Sequence, residues 1–262
     1  MNIVNQDKIL DYINSKSLDT LPKTILLEGK CGSGRHTIAK YIADKFNLII
    51  NDISESITLD TINEAYLKVE PYLYIIDCNK LSNKNENTLL KFLEEPLKNS
   101  YIILITENKY SLINTIVNRC FLITMKPYSK ECLISFIDNT EYTDEILGIC
   151  ETPGDVITLQ NYDISALFNF CIKIFDKINI ASYANTLSIS DKIAFKSEKD
   201  KYDVNIFWRI LLKVSYVRVL NNLPNAIKEY ELTNMFFNRL NIRNIDKKYL
   251  LEQYLINLKQ MV

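Results

Sequence analysis

Glycine is scarce in this chain. There are five in 262 residues, and three of them, Gly29, Gly32 and Gly34, fall within six consecutive positions. Histidine is scarcer: the one histidine, His36, lies just beyond that cluster. A single histidine, and no C-x-x-C pair among the six cysteines at 31, 78, 120, 132, 150 and 171, argue against a zinc ribbon and leave no metal site to expect. An excess of charge of one sign is missing too. The 31 Lys and Arg nearly balance the 32 Asp and Glu, for a net charge of -1. That argues against a surface built to coat nucleic acid, while a local basic patch stays open. No apolar run is long enough for a membrane span and no signal peptide is recognisable. With widely spaced cysteines, the expectation is a reduced, cytoplasmic protein with no membrane association. What is present is ordinary for a globular chain: 47% hydrophobic and 24% charged residues, at a length that suits about two domains.

The glycine cluster sits in a suggestive place. Ile25-Leu26-Leu27 reads as a buried strand, Gly29 to Gly34 as a turn, and the residues from Arg35 as a helix burying Ile38, Ala39, Ile42 and Ala43. A strand, a G-x-x-x-x-G loop and a helix form the outline of a phosphate-binding loop, in which backbone N–H groups and the helix N-terminus face the anion. The residues that do chemistry in such a loop differ here. Arg35 stands where a lysine would reach the outer phosphates, and its forked guanidinium is no simple substitute. His36 offers nitrogen where a hard cation wants oxygen. Thr37 has a hydroxyl one residue late, roughly 100° further round the helix. From the residues alone, a strand-to-helix turn with no ligand remains open.

The rest of the first half alternates strands and helices. Asp7 to Ile13 is helical, Leu48 to Ile50 a second strand, Thr61 to Lys68 a helix, and Tyr72 to Ile76 a third strand ending on Asp77. Asn85 to Glu95 is a helix stopped by Pro96, with Glu94 and Glu95 as its solvated end. Tyr101 to Ile105 is a fourth strand ending at Thr106, Leu112 to Val117 a short helix, and Cys120 to Thr124 a fifth strand. This is the pattern of a parallel α/β sheet covered on both faces. Ligands of such sheets sit at the carboxyl edge of the strands, where the glycine loop, Asp77 and Thr106 all fall. After Pro127 the pattern turns helical: Lys130 to Ile137, Thr143 to Cys150, a start at Thr152-Pro153-Gly154-Asp155, and apolar stripes from Ile164, Val204 and Leu251. Lys196 to Lys201 reads as a solvated connection, and Trp208 and the tyrosines as core.

The order Asp77-Cys78-Asn79, Leu93-Glu94-Glu95-Pro96, Thr106-Glu107-Asn108 and Asn118-Arg119-Cys120 resembles clamp-loader subunits of the AAA+ class, most of all the bacterial DNA polymerase III delta-prime and gamma/tau type, over roughly residues 20 to 160. The resemblance implies an α/β AAA+ P-loop domain with a parallel five-stranded sheet (1–127), a small helical lid (128–162) and an all-α C-terminal collar that joins a hetero-oligomeric ring (163–262). Partners would be the other ring subunits, a sliding clamp and, through the assembled ring, primed DNA. The resemblance also implies that Gly29, Gly32, Gly34, Arg35, His36 and Thr37 line a nucleotide loop, and that Asp77 and Thr106 are its Walker B and sensor remnants. Arg119 would be an arginine finger acting in trans; taken without the motif, it reads as a surface ion pair.

The departures matter as much. An acidic residue is expected after Asp77, and Cys78 stands there. A sensor arginine is expected near Gly154-Asp155-Val156, and none is present. The family's four-cysteine module is missing from Asn51 to Pro71. A degraded own site beside a retained Arg119 points to a non-hydrolysing stator that requires no cofactor, with room for ATP or ADP held without turnover. Two alternatives remain: an active variant ATPase using Arg35 and Thr37, and a DNA- or partner-binding module on an AAA+ shell.

Overall fold

A computed structural model describes residues 3–54, 57–81, 83–94, 100–138, 143–195, 201–240, 242 and 245–261. The chain forms two compact units, Met1–Cys132 with Thr152–Gly154, and Leu133–Glu151 with Asp155–Val262.

The first unit is built on β1 (Thr24–Glu28), β2 (Ile49–Asp52), β3 (Tyr72–Asp77), β4 (Tyr101–Thr106) and β5 (Phe121–Thr124). All pair in parallel, in the order β2-β3-β4-β1-β5. The central strands are apolar throughout because both faces are covered. Ile25 and Leu27 face one core with Ile9, Ile13, Ile38 and Ile42, which come from α1 (Asp7–Asn14) and α2 (Arg35–Phe46). Leu26 faces the other, with Ile62 of α3 (Leu59–Leu67), Phe92 of α4 (Asn83–Glu94) and Ile116 of α5 (Asn114–Val117). Before α1, the Gln6 amide accepts from the Lys126 N–H at 2.9 Å and donates to the Lys126 carbonyl at 3.0 Å, tying the lead-in to the chain beyond β5.

The boundaries differ from expectation for identifiable reasons. Helix α3 begins at Leu59 because Thr58 caps it, its hydroxyl accepting from the Thr61 N–H at 3.1 Å. Cys120 belongs to the turn after α5, where its N–H donates to the Val117 carbonyl, so β5 starts at Phe121. A 3-10 turn, Lys109–Ser111, precedes α5 and shortens it. Glu95, Pro96 and the expected helix stop lie outside the described residues, as does most of Lys196 to Lys201.

Beyond β5 come α6 (Lys130–Ile134), α7 (Thr143–Ile149), α8 (Pro153–Leu159), α9 (Ile164–Lys177) and α10 (Tyr183–Leu187). They are followed by β6 (Ile193–Ala194), β7 (Tyr202–Asp203), α11 (Val204–Leu220), α12 (Ala226–Arg239) and α13 (Lys247–Met261). The expectation that strands stop at Pro127 is corrected by β6 and β7. They form a parallel ladder of two residues each, too short to show any alternation in sequence. In the second unit α11 packs on α9 and α12, and α12 on α13. Its centre is aromatic: Trp208, Phe236 and Tyr254 are buried together, with Trp208 and Tyr254 ring centroids 4.9 Å apart.

Candidate functional site

The glycine loop leaves the carboxyl end of β1 and is fastened to β4 at once, the Gly29 N–H donating to the Thr106 carbonyl at 3.0 Å. Gly32 and Gly34 adopt φ of 75° and 90°, which L side chains rarely do, and Gly34 is the N-cap of α2. Three successive carbonyls of the loop are held from outside. Cys31 accepts from the Thr152 hydroxyl at 3.0 Å, Gly32 from the Gly154 N–H at 3.1 Å, and Ser33 from the Tyr128 hydroxyl at 2.9 Å. The approach is close. A Cβ on Gly154 would lie 2.5 Å from the Gly32 Cα, so two bare backbones meet there.

A trans peptide points its C=O and the following N–H in opposite directions. Anchoring the Cys31 and Ser33 carbonyls outward therefore turns the Gly32 and Gly34 N–H groups inward. These two, and the N–H groups of Arg35, His36 and Thr37 in the first turn of α2, have no acceptor among the described residues. The Ser33 hydroxyl, on a residue 3% exposed, lies inside the turn: a Cβ on Gly29 would come within 2.9 Å of it. It too has no partner among the described residues. Arg35 is 6% exposed, and its guanidinium has neither hydrogen bond nor ion pair among the described residues. His36 is exposed and Thr37 half-buried.

The other sheet-edge residues lie alongside. Asp77 ends β3 opposite Ile105, next to Thr106. Its Oδ1 is occupied by Asn79, which donates from its backbone N–H at 3.0 Å and its side-chain amide at 2.9 Å. Thr106 is fully buried, and its hydroxyl is spent on the turn: it donates to the Asn108 carbonyl at 3.0 Å and accepts from the Asn108 N–H at 3.2 Å. Cys78 is buried, and burial first, then the neighbouring Asp77, Cys120 and Glu86, push its thiol far above the usual range. It stays protonated and cannot serve as a base. The chemistry of the loop's N–H groups suits an anion such as phosphate, and among the described residues no free set of oxygen ligands accompanies the loop for a magnesium ion. Among the described residues no group of three His, Cys, Asp or Glu could hold a metal.

Arg119 is elsewhere. It precedes β5, whose first residue lies level with Ile25, and the loop begins four residues beyond Ile25 on the parallel β1. That separation is about 13 Å along the sheet. Arg119 is thus at the amino edge and the loop at the carboxyl edge. Its Nη2 donates to Glu94 Oε1 at 2.7 Å and its Nη1 to the Thr115 carbonyl at 2.8 Å.

Residues 48–129 match the family model described as DNA polymerase III, delta subunit. The delta-prime subunit of Bacillus subtilis is 26% identical over 154 residues, 46% of this chain and 47% of that protein. The chain is similar to the delta-prime and gamma subunits of DNA polymerase III. A gamma subunit of Buchnera aphidicola from Acyrthosiphon pisum is 28% identical over 52% of this chain and 47% of its own. A delta-prime subunit of Buchnera aphidicola from Baizongia pistaciae is 23% identical over 75% of this chain and 65% of its own. The chain spans about half to two thirds of the length of these relatives. Among solved structures, a gamma subunit-related protein of Thermotoga maritima superposes over 98% of this chain and 99% of its own with a TM-score of 0.53 at 17% identity. A RuvB variant of the same organism gives 0.54 at 15% identity, covering 98% of this chain and 88% of its own. These two show the fold alone.

The roles of Thr152, Gly154, Tyr128 and Glu94 are not readable from the sequence. The Thr-Pro-Gly run read as a helix start without hinting that its backbone meets another glycine. Glu94 read as a solvated end; it is exposed, yet paired with Arg119.

Proposed function

We propose that this chain is a clamp-loader subunit of the delta-prime kind, active in DNA replication as a member of a hetero-oligomeric ring. In that role it does not hydrolyse ATP and lends Arg119 to the ATP site of a neighbour. The observation that carries the proposal is the separation of Arg119 from its own loop by the length of a strand, on the opposite edge of the sheet. A finger so placed can serve another molecule and not its own chain.

What a nucleotide supplies, when bound in a ring of this kind, is the phosphoryl group whose transfer is accelerated. This chain contributes position and charge. Arg119 stands at a helix end with three guanidinium N–H groups beyond the two already engaged, enough to meet a phosphoryl oxygen across an interface. The own-site features support a stator: Cys78 is no base, Asp77 is occupied by Asn79, and the loop carbonyls are braced by residues 128, 152 and 154. The sliding clamp and primed DNA enter this proposal through the assembled ring.

The test is ATP turnover of a ring reconstituted from this chain and its ATPase subunits. Arg119→Ala is expected to lower turnover, with assembly unchanged by sizing chromatography. A finger is worth about 10³–10⁵ in rate at the site it serves. Full turnover in an intact Arg119→Ala ring would remove the finger. ATP hydrolysis by the isolated chain that Asp77→Asn abolishes would remove the stator.

A further inference from the structure

We infer that the free edge of β2 is a docking edge that takes up an extended segment of another protein, apolar at its centre and basic at its ends, as an added strand of the sheet. The inference goes beyond the ring role proposed above and rests on other residues.

Strand β2 is the last strand on its side of the five-stranded sheet, with β3 as its one neighbour. Its donors reach β3 at alternate residues. The Ile49 N–H donates to the Pro71 carbonyl at 3.0 Å and the Ile53 N–H to the Ile75 carbonyl at 3.0 Å, in a parallel register that pairs Ile49 with Tyr72 and Asp52 with Ile75. The backbone groups of Ile50 and Asp52 therefore point away from β3, and no described residue bonds them. The side chains are open as well. Strands of a parallel sheet are normally covered on both faces, yet Ile49 is 46% and Ile50 40% exposed, at successive positions that point to opposite faces. Val69, 81% exposed, lies two residues before the carbonyl that Ile49 engages, and Leu67, at the end of α3, is 80% exposed. Proteins commonly close a sheet edge with lysine or proline, and Leu48 to Asp52 has neither.

Backbone and charge together name the occupant. A row that offers N–H and C=O groups in alternation is completed by another extended backbone, as in strand addition. The charge around the edge is one-sided. From Leu48 to Asp77 the sequence carries six acids, Asp52, Glu55, Asp60, Glu64, Glu70 and Asp77, against the single base Lys68, in a chain that is nearly balanced as a whole. Ser54 ties two of these acids together: its hydroxyl donates to Asp52 Oδ1 at 2.5 Å and accepts from the Asp77 N–H at 2.8 Å. A second copy of this chain would lay the same acids against these, so charge opposes self-pairing through β2 and favours a basic segment. The exposed isoleucines call for β-branched residues beside them, and Asp52 and Asp77, at the carboxyl end of their strands, for lysine or arginine next to those.

The experiment titrates the whole chain into the fluorescently labelled, end-capped peptide KKVIVKK, which reads the same in both strand directions, and follows anisotropy and amide hydrogen exchange. Saturable binding is expected, with new protection of the outward-facing Ile50 and Asp52 amides and no such gain at Ile49, which is already bonded to Pro71. Ile50→Pro removes an outward N–H and no bond to β3, a change that edge strands tolerate, and should weaken binding about tenfold or more. If Ile50→Pro fails to fold, Ile50→Glu, at an exposed side chain with the backbone left intact, decides by the same loss. The peptide EEVIVEE should not bind. No saturable binding, binding that leaves the Ile50 and Asp52 amides unprotected, equal binding of EEVIVEE, or undiminished binding by the folded Ile50 variant overturns the inference. A dimer of the free chain that Ile50→Pro dissolves, seen by sizing chromatography, would assign the edge to a second copy and overturns it too. Arg119 takes no part, so failure here leaves the ring result standing, and failure of Arg119 leaves this one.

Discussion

Arg119 and Glu94 meet at the amino edge of the sheet, the guanidinium Nη2 2.7 Å from the carboxylate Oε1, with side chains 36% and 51% exposed. The pair joins the end of α4 to the turn after α5, two helices 25 residues apart in sequence by this contact. Its exposure sets its strength. Water and salt screen such pairs to between zero and about 1 kcal/mol. A guanidinium held this lightly can exchange a carboxylate for a phosphoryl oxygen at small cost.

A double-mutant cycle with Arg119→Ala and Glu94→Gln, read by urea unfolding, is therefore expected to give a coupling of about 0.2–1 kcal/mol. Each single variant should remain folded. A coupling above roughly 2 kcal/mol, beyond the range of exposed pairs, would make the contact a structural one and Arg119 too firmly held to serve a neighbour.

The back-to-back glycines make a second prediction. Gly154→Ala places a Cβ 2.5 Å from the Gly32 Cα, against backbone that cannot rotate away. The expected cost is about 1–3 kcal/mol, as for overpacking elsewhere, together with loss of the Gly154 N–H bond to the Gly32 carbonyl. Thr152→Val keeps the shape and removes the hydroxyl's bond to the Cys31 carbonyl, for about 1 kcal/mol or more. Thermal unfolding of the two variants should rank Gly154→Ala as the more damaging. Equal midpoints for Gly154→Ala and the parent would mean that the loop does not rest on residue 154.

The sheet was legible in the sequence because its inner strands, Ile25 to Leu27, Tyr72 to Ile76 and Tyr101 to Ile105, are short apolar runs that end in turn-forming residues. The loop was legible through the rarity of glycine. The braces were not. Thr152 lies 121 residues from the carbonyl it holds and Tyr128 lies 95, and nothing local in a threonine or a tyrosine announces such a partner. Helix α12 lies within the expected all-α collar but shows no clear stripe of its own, because its apolar residues are divided: Leu232 and Phe236 are buried while Ile227 and Met235 are exposed. The burial of Arg35 was likewise invisible, since an arginine at a helix start ordinarily reaches solvent.

In the second unit the ion pair of Arg209 and Asp155 is partly buried, with side chains 18% and 12% exposed. Burial works against the Arg209 charge, but Asp155, Glu151 and Cys150 together offset this and hold the guanidinium above its ordinary pKa. Asp155 also accepts the Glu151 N–H at 3.0 Å. Asp155→Asn removes the carboxylate paired with Arg209, leaving Glu151 as the other acid that acts on it, and is expected to destabilise by about 1.5–3 kcal/mol, whereas Asp155→Leu with Arg209→Met should lie much nearer the parent. Chemical unfolding of the three proteins checks this ordering. A double variant no better than the single one would show that the pair's hydrogen bonds, not its charges, hold this corner together.

Buried thiols give the chain a stability that falls with alkali. Burial pushes Cys120 up to about 12 and Cys150 up to about 12 from an ordinary 9.0, and drives Cys78 and Cys171 higher. Above pH 9 the unfolded chain sheds these protons while the folded chain keeps them, so the unfolded state binds fewer protons and stability declines as pH rises. The stabilisation is complete below pH 9 and is lost through about pH 12. Each such thiol adds up to about 1.4 kcal/mol per pH unit in that window. Unfolding free energy measured from pH 7.5 to 10.5 should be flat at first and then fall. Replacing Cys150 by alanine should make the fall shallower by one proton's worth. An unchanged slope in Cys150→Ala would mean that this thiol ionises alike in both states and is not shielded by the fold.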